Sequence, residues 1–222
     1  MITVVIASYR YGHLAAHCIE SILSQTKRPD RILFVDDGVG DCEHLKYLYP
    51  EVEFVLRPKN IGRVANFQDM LDRVKTGMCL FIGADNWLRS DAIELLSKEK
   101  ADIVTYDIMV TGEFKGAKYS SVQRNTKDKI TYRTGDYYWH RVNKHHGSML
   151  YNVNLAKKCR YDAEGLNKAE DFVLWNKMLA AGAKITHVPE GLLYYRSHRE
   201  NDNKYKVMIE YQKKLKQMRD KL

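Results

Sequence analysis

The stretch MCLFIGADNWL, Met78 to Leu88, is apolar as far as Ile82 and breaks at Gly83. After Ala84 it sets one carboxylate and one amide side by side, Asp85 and Asn86. A carboxylate that closes a buried strand can serve metal or ligand chemistry, because in a sheet covered by helices the carboxyl ends of the strands open onto the crevice. The same residues also make an ordinary turn before a helix, with Asp85 or Asn86 as its cap. Two more apolar runs end in polar groups: Ile2 to Ala7 in Ser8-Tyr9, and Arg31 to Val35 in Asp36-Asp37-Gly38. A lone Asp-Asp-Gly is most often a turn. Three strand ends that bring two acidic clusters and a phenol to one rim are harder to dismiss as turns. A further acidic pair, Glu170-Asp171, opens a helical pattern, where the macrodipole favours negative charge. That pair reads either as a helix start or as a carboxylate held rigidly beside a site.

The elements that must position these groups follow from periodicity. Ile2 to Ala7 is an uninterrupted apolar and β-branched run, and Gly12 precedes the helical set Leu14, Cys18, Ile22. Arg31 to Val35 repeats the strand pattern. Leu45 and Leu48 predict a short helix, and Val52 to Leu56 a third strand. Asn60-Ile61-Gly62-Arg63 opens a helix through Lys75 with Val64, Phe67, Leu71 and Val74 on one face. Met78 to Ile82 is the next strand, and Arg89-Ser90-Asp91 opens a helix-like segment. Strand and helix alternate over the first hundred residues, which predicts an α/β fold with a mostly parallel central sheet, flanking helices and right-handed crossovers. Asp102 to Val110 predicts another strand, with Lys115 to Val122 as its hairpin partner. The helix from Glu170 buries Phe172, Trp175, Met178 and Leu179. Beyond it come a strand at Lys184 to His187, a turn at Pro189-Glu190-Gly191, and Leu192 to Tyr195 leading into Arg196-Ser197-His198.

Composition bounds the function classes. The 222 residues suffice for one substantial core, and 45% hydrophobic with 29% charged content is that of a soluble globular chain. Cys18, Cys42, Cys79 and Cys159 lie far apart, without CxxC or zinc spacing, and read as reduced thiols of a cytosolic protein. MITVVIASY lacks a basic leader and reads as a first strand, and no run approaches the ~18 apolar residues of a spanning helix. The formal charge is +8, and Lys204 to Leu222 carries seven basic and two acidic residues, hence +5 of it. Met208, Tyr211, Leu215, Met218 and Leu222 form one stripe there, so residues 203–222 predict a basic amphipathic helix appended to a domain of residues 1–202. That helix could pack on its own domain, lie on an anionic membrane surface, or approach nucleic acid. GxGxxG after the first strand and GxxxxGK[ST] anywhere are both missing, which disfavours dinucleotide and P-loop sites.

Taken together, VVIASYRYGHLAAHCIESILSQT, FVDDG, NIGRVANFQDMLDRVKTGMCLFIGADNWL, AEDFVLWNKMLAAGAKITHVPE and LLYYRSH resemble the inverting nucleotide-sugar glycosyltransferases of family 2, which have the GT-A fold. The resemblance runs from Ile2 to about Asn201. It implies that Ala7, Ser8, Tyr9 and Asp37, with Asp36 as neighbour, hold the nucleobase and ribose, and that Arg63 contacts the donor nucleotide. Asp85, next to Ala84, takes the place of the carboxylate that bridges Mg²⁺ or Mn²⁺ to the diphosphate. The family's metal motif is usually Asp-x-Asp, whereas the first position here is Gly83 and the acid that often follows is Asn86. One carboxylate is enough in principle, since such ions keep waters and take phosphate oxygens. By the same resemblance Asp171 is the general base, Glu170 its neighbour toward donor or acceptor, and Arg196 and His198 stand where the leaving group is neutralised, His198 near the metal. His198 reads equally as a surface histidine.

Residues 101–150 are implied to shape the acceptor site. Tyr137-Tyr138-Trp139-His140 offers aromatic faces that suit sugar rings, or else core, and His145-His146-Gly147-Ser148 follows; adjacent histidines on a strand point to opposite faces and make a poor metal site. The expected partners are a nucleotide sugar, UDP being the commonest donor nucleotide among similar proteins, and a glycan or other hydroxyl acceptor, in a cytoplasmic protein that could sit peripherally on a membrane. Three rivals stand beside this reading. A nucleotidylyltransferase is disfavoured by the missing glycine-rich first loop. A non-catalytic sugar-nucleotide or glycan-binding module is suggested by Gly83, and a glycosyltransferase of modified bases in DNA by the basic tail.

Overall fold

The computed structural model describes residues 1–112, 122–125, 130–133, 147–161 and 170–198. In chain order the elements are β1 (Ile2–Ser8), α1 (Gly12–Leu23), β2 (Arg31–Asp36), α2 (Leu45–Leu48), β3 (Glu53–Leu56), α3 (Arg63–Arg73), β4 (Met78–Gly83), β5 (Trp87–Leu88), α4 (Ala92–Leu96), β6 (Ile103–Gly112), β7 (Val122–Asn125), β8 (Ile130–Arg133), β9 (Leu150–Asn152), α5 (Val153–Cys159), α6 (Glu170–Ala180) and β10 (Ile185–Ser197). Strands β3, β2, β1 and β4 are parallel neighbours, as the alternating pattern predicts. The order then continues through β9, β6, β10 and β5, with β7 and β8 attached to β6.

The β-branched, apolar run of β1 suits a strand buried on both faces. Its side chains alternate between two cores. Val4 and Ile6, with Leu80 and Ile82 of β4, pack under α1 and α4. Val5, with Cys79 and Phe81, packs against Met70 and Leu71 of α3, Ala156 of α5, and Leu174, Trp175 and Met178 of α6. In α1 the buried stripe is Ala15, Cys18, Ile19 and Ile22. All four cysteines are free thiols, and burial pushes Cys42 up to about 12.

Several boundaries differ from the sequence expectation. The helix expected from Asn60 to Lys75 spans only Arg63–Arg73, because Gly62 sits at φ +87 immediately before it. In α2 only Leu45 is buried, and Leu48 is exposed. Pro189-Glu190-Gly191 is a bulge inside one long strand: β10 stays parallel to β6 throughout, and its register shifts between Val188 and Gly191 and again before Leu193. The antiparallel partner of β6 at Ile108–Val110 is β8, not residues 115–122; of those, only Val122 lies in the described residues. The two-residue β5, with no sequence signal of its own, pairs antiparallel with β10 through Trp87↔Tyr194 and Leu88↔Leu193. The expectations for residues 137–140, for His145-His146 and for the tail at 203–222 lie outside the described residues. No helix among the described residues is long and apolar enough to cross a membrane.

Candidate active site

The strand order 3-2-1-4 reverses between β1 and β4, and in open α/β sheets that reversal is where a crevice opens at the carboxyl ends. Backbone bonds lock the rim there: Ala84 N donates to Ala7 O at 2.9 Å and Asp37 N to Ser8 O at 2.9 Å. The ends of β1, β2 and β4 therefore lie side by side, bringing Ser8-Tyr9, Asp36-Asp37 and Ala84-Asp85 together. Ser8, Ala84, Asp36, Asp37 and Asp85 are buried, and Tyr9 is exposed with the Arg10 guanidinium 5.0 Å above its ring.

Asp36 and Asp37 face different surroundings. The Asp36 carboxylate bends back to accept from Val39 N at 3.2 Å and Gly40 N at 2.8 Å, closing its own turn. Asp37 reaches the loop before α3, accepting from Asn60 Nδ2 at 2.8 Å and Ile61 N at 3.2 Å, with Arg57 Nε 3.4 Å away. Arg57 is itself held by Asn66 and Asp69. Burial pushes both carboxyls above the usual range, opposed at Asp36 by the Gly40 and Val39 amides and at Asp37 by the Ile61 amide and Arg57. Gly38, at φ +81, lets the two loops meet, since a Cβ there would stand 2.1 Å from the Lys59 carbonyl carbon. Neither Arg57 nor Asn60 stands out in the sequence; both act through Asp37, twenty or more positions away.

Asp85 is held from two directions. Oδ1 accepts from Asn86 Nδ2 at 2.8 Å, and Oδ2 lies 3.1 Å from His198 Nε2. Burial pushes its carboxyl upward, and His198 pulls the other way. A Cβ at Gly83 would come within 2.6 Å of Asp85 Oδ1 and 3.0 Å of Asn86 Nδ2, so the usual place of a first acid is closed by the Asp85-Asn86 pair. Arg196 N donates to Asn86 Oδ1 at 2.9 Å, and Arg196 Nε to the Asp85 carbonyl at 3.0 Å. His198 meets the Tyr11 ring edge to face at 5.5 Å.

The second acidic pair sits at the start of α6, with Glu170 buried and Asp171 partly so. Leu150, the first residue of β9, pairs with Leu80 of β4. A Cβ on Gly147 would lie 3.5 Å from Asp171 Oδ2. Tyr161 and Tyr151 share a buried hydroxyl contact of 2.5 Å, and the Tyr161 hydroxyl is pushed well up, chiefly by burial and further by Glu170 and Asp171. Arg63 is the first residue of α3, next to the Asp37 loop.

A third cluster has no counterpart in the sequence reading. Asp36, Asp41 and Cys42 offer ligand atoms within 4.8 Å of one another. Their polar atoms serve internal bonds: Asp36 to Val39 and Gly40, Asp41 to Gly12 N at 2.9 Å, and Cys42 Sγ beside Ser8 Oγ at 3.4 Å. Chemically, then, the rim offers a carboxylate–imidazole pair suited to a divalent cation and a fixed carboxylate suited to a polar heterocycle, and α6 separately offers an acid on a rigid helix start.

Solved structures share this fold. Staphylococcus aureus TarS 1-349 in complex with UDP superposes with a TM-score of 0.69 at 14% identity, covering 98% of this chain and 64% of that one. The mannosyltransferase PcManGT from Pyrobaculum calidifontis, in complex with GDP-Man and Mn²⁺, gives 0.62 at 14% identity over 90% and 58%. Such likeness establishes the GT-A-like α/β fold. In sequence the chain is 22% identical to the minor teichoic acid biosynthesis protein GgaA of Bacillus subtilis, over 91% of this chain and 48% of GgaA. It is 24% identical to the glycosyltransferase GlyA of Streptococcus pneumoniae, over 88% of this chain and 30% of GlyA. The chain thus spans half or less of these curated relatives. The pattern described as Glycosyl transferase family 2 matches residues 3–160, which is well over half of the sequence, and with the rim built as above the chain belongs to glycosyl transferase family 2.

Proposed function

We propose that this chain is an inverting glycosyltransferase that moves a sugar from a UDP-sugar to an acceptor hydroxyl. The observation that carries the reading is the Asp85–His198 pair at the strand-order reversal, 3.1 Å apart, on the rim that also holds Asp37. The UDP complex of TarS supports UDP as the nucleotide. In this reading Ala7, Ser8, Tyr9 and Asp37 take the nucleobase and ribose, Asp36 shapes the turn beneath them, and Ala84 and Arg63 border the diphosphate. Asp171 accepts the proton of the acceptor hydroxyl as its oxygen attacks the anomeric carbon. The bond from that carbon to the diphosphate oxygen breaks on the opposite face, and the electron pair leaves with UDP. Glu170 borders the donor or acceptor beside Asp171.

Asp85 and His198 are the residues that would hold Mn²⁺ or Mg²⁺. One carboxylate and one imidazole make a donor set such ions accept, the remaining ligands being phosphate and water. Positive charge beside Asp85 would also offset the burial that raises its pKa. When bound, the ion supplies charge against the departing diphosphate. The name of GgaA supports a teichoic-acid hydroxyl as one acceptor to test.

Gly83 favours a second reading, a donor-binding module without transfer, because no carboxylate occupies the first-acid position. Turnover separates the two. UDP-sugar hydrolysis and transfer are measured with and without Mn²⁺, for the native chain and for Asp171→Asn. The expected result is Mn²⁺-stimulated turnover that falls by roughly 10²–10⁴ in the variant while donor affinity is retained. Equal loss of affinity and turnover refutes the base assignment, and donor binding with no turnover leaves the binding module.

A further inference from the structure

Asn86 and Arg196 stand where a metal-motif acid and a leaving-group cation were expected, yet their hydrogen bonds point inward, to Asp85. The direction of each bond is chemically forced. Arg196 N–H can only donate, so the Asn86 atom that meets it at 2.9 Å is the carbonyl oxygen. The amide's NH₂ must then face Asp85 Oδ1, which it reaches at 2.8 Å. An aspartate at position 86 would set a second carboxylate oxygen against Oδ1.

Arg196 is in turn fixed by its surroundings. Its Nε donates to the Asp85 carbonyl at 3.0 Å, and its Nη2 lies 3.2 Å from His17 Nδ1. The guanidinium carbon stands 4.8 Å above the Trp87 ring, a cation–π arrangement. Trp87 is stacked on His17 at 4.6 Å and on Tyr194 at 5.1 Å. One stack therefore ties α1, β5 and β10 together directly behind the Asp85-Asn86 turn.

We propose that Asn86 and Arg196, clamped by the Trp87 stack, are positioning residues that aim Asp85 for the metal-assisted donor site. The inference rests on the function proposed above. In it Oδ1 is committed to the Asn86 amide, so that Oδ2, already facing His198, is the oxygen presented to a cation. Gly83 completes the device, because any side chain there would meet both partners. With Gly83 and Asn86 at the motif's outer positions, the site has one firmly held carboxylate in place of several.

The test is a titration of the full chain with UDP in the presence and absence of Mn²⁺, followed by tryptophan fluorescence, with Mn²⁺ binding read directly by electron paramagnetic resonance. Outer partners of metal ligands typically carry about 10–100-fold in metal affinity. Arg196→Ala and Asn86→Asp are expected to raise the Mn²⁺ concentration for half-saturation by about tenfold or more and to shrink the ratio of UDP affinities with and without Mn²⁺. Arg196→Lys should behave like the alanine variant, since one ammonium cannot serve both Nε and Nη2 positions. Trp87→Phe, which keeps a stacking face, should restore most of what Trp87→Ala loses. Melting curves confirm that each variant is folded.

A uniform fall in UDP affinity with and without Mn²⁺ in Arg196→Ala makes Arg196 a diphosphate contact and overturns the proposal. So does a gain in Mn²⁺ affinity in Asn86→Asp. Native chain that responds to Mn²⁺ while the variants respond identically overturns the brace alone. Native chain whose UDP binding ignores Mn²⁺ removes the metal reading, and the brace with it.

Discussion

Asp36 and Asp37 are adjacent, acidic and buried, yet only their partners reveal their work. Asp36 spends its oxygens on the Val39 and Gly40 amides and is a turn former, while Asp37 is turned to the loop that opens α3. The residue pattern brings both to the rim and the family resemblance singles out Asp37, but the physical division depends on which way each side chain leaves the strand end. Burial raises the folded pKa of Asp36, so its contribution to stability is fully present below the ordinary carboxylate value of about 3.9 and is lost as pH rises through the raised value. Asparagine at that position does not titrate. The melting-temperature difference between Asp36→Asn and the native chain should therefore become more favourable to asparagine from pH 4 to pH 7.5. Melts at the two pH values measure it, and a constant difference would mean the carboxyl titrates normally. Asp85 and Asp171 were legible as candidates because each follows or opens a clear periodic element. Arg57, Asn60 and His17 were not, since their partners lie far along the chain.

At the scale of elements, a few glycines decide whether the rim can close. Gly38 combines φ +81 with a Lys59 carbonyl carbon 2.1 Å from where its Cβ would lie, so the β2 and α3 loops meet only at glycine. Gly38→Ala is expected to cost about 1–3 kcal/mol of stability, the usual scale for a forced backbone conformation, and to weaken UDP binding by displacing Asp37. Denaturant melts and a UDP titration check this, and an unchanged affinity would detach Asp37 from the nucleotide. The parallel strands β1 to β4 were legible because each is a short apolar run between helical stripes. β5 was not: two residues carry no period, and it exists because β10 runs alongside. In β10 the sequence predicts a strand that stops at His187 and a turn at Pro189-Glu190-Gly191, because Pro189 and Gly191 are turn residues by local rules; pairing with β6 carries the strand through them.

For the whole molecule, the reversal of strand order between β1 and β4 gathers carboxylates from two parts of the chain, Asp36-Asp37 and Asp85, on one edge. A ligand that binds this edge only in the folded state must raise apparent stability by mass action. UDP or a UDP-sugar at 100 times its dissociation constant should add ~2.7 kcal/mol, which for a chain of this size is a rise in Tm of about 5–11 °C. A thermal-shift panel of nucleotide sugars measures it, and a panel without a shift from any nucleotide would remove the donor site. The sequence by itself determined the alternation of strands and helices, the two-sided core and the acids at the strand ends, because side-chain period and chain-terminating residues are local properties. Only the tertiary structure decided that Asp85 faces His198, that Asn86 and Arg196 brace it, and that Trp87 stacks on His17. Apart from the bond between the adjacent Asn86 and Asp85, those contacts join residues 70 to 113 positions apart, and hydrogen-bond direction at such separations is set by how the elements pack, which no local pattern encodes.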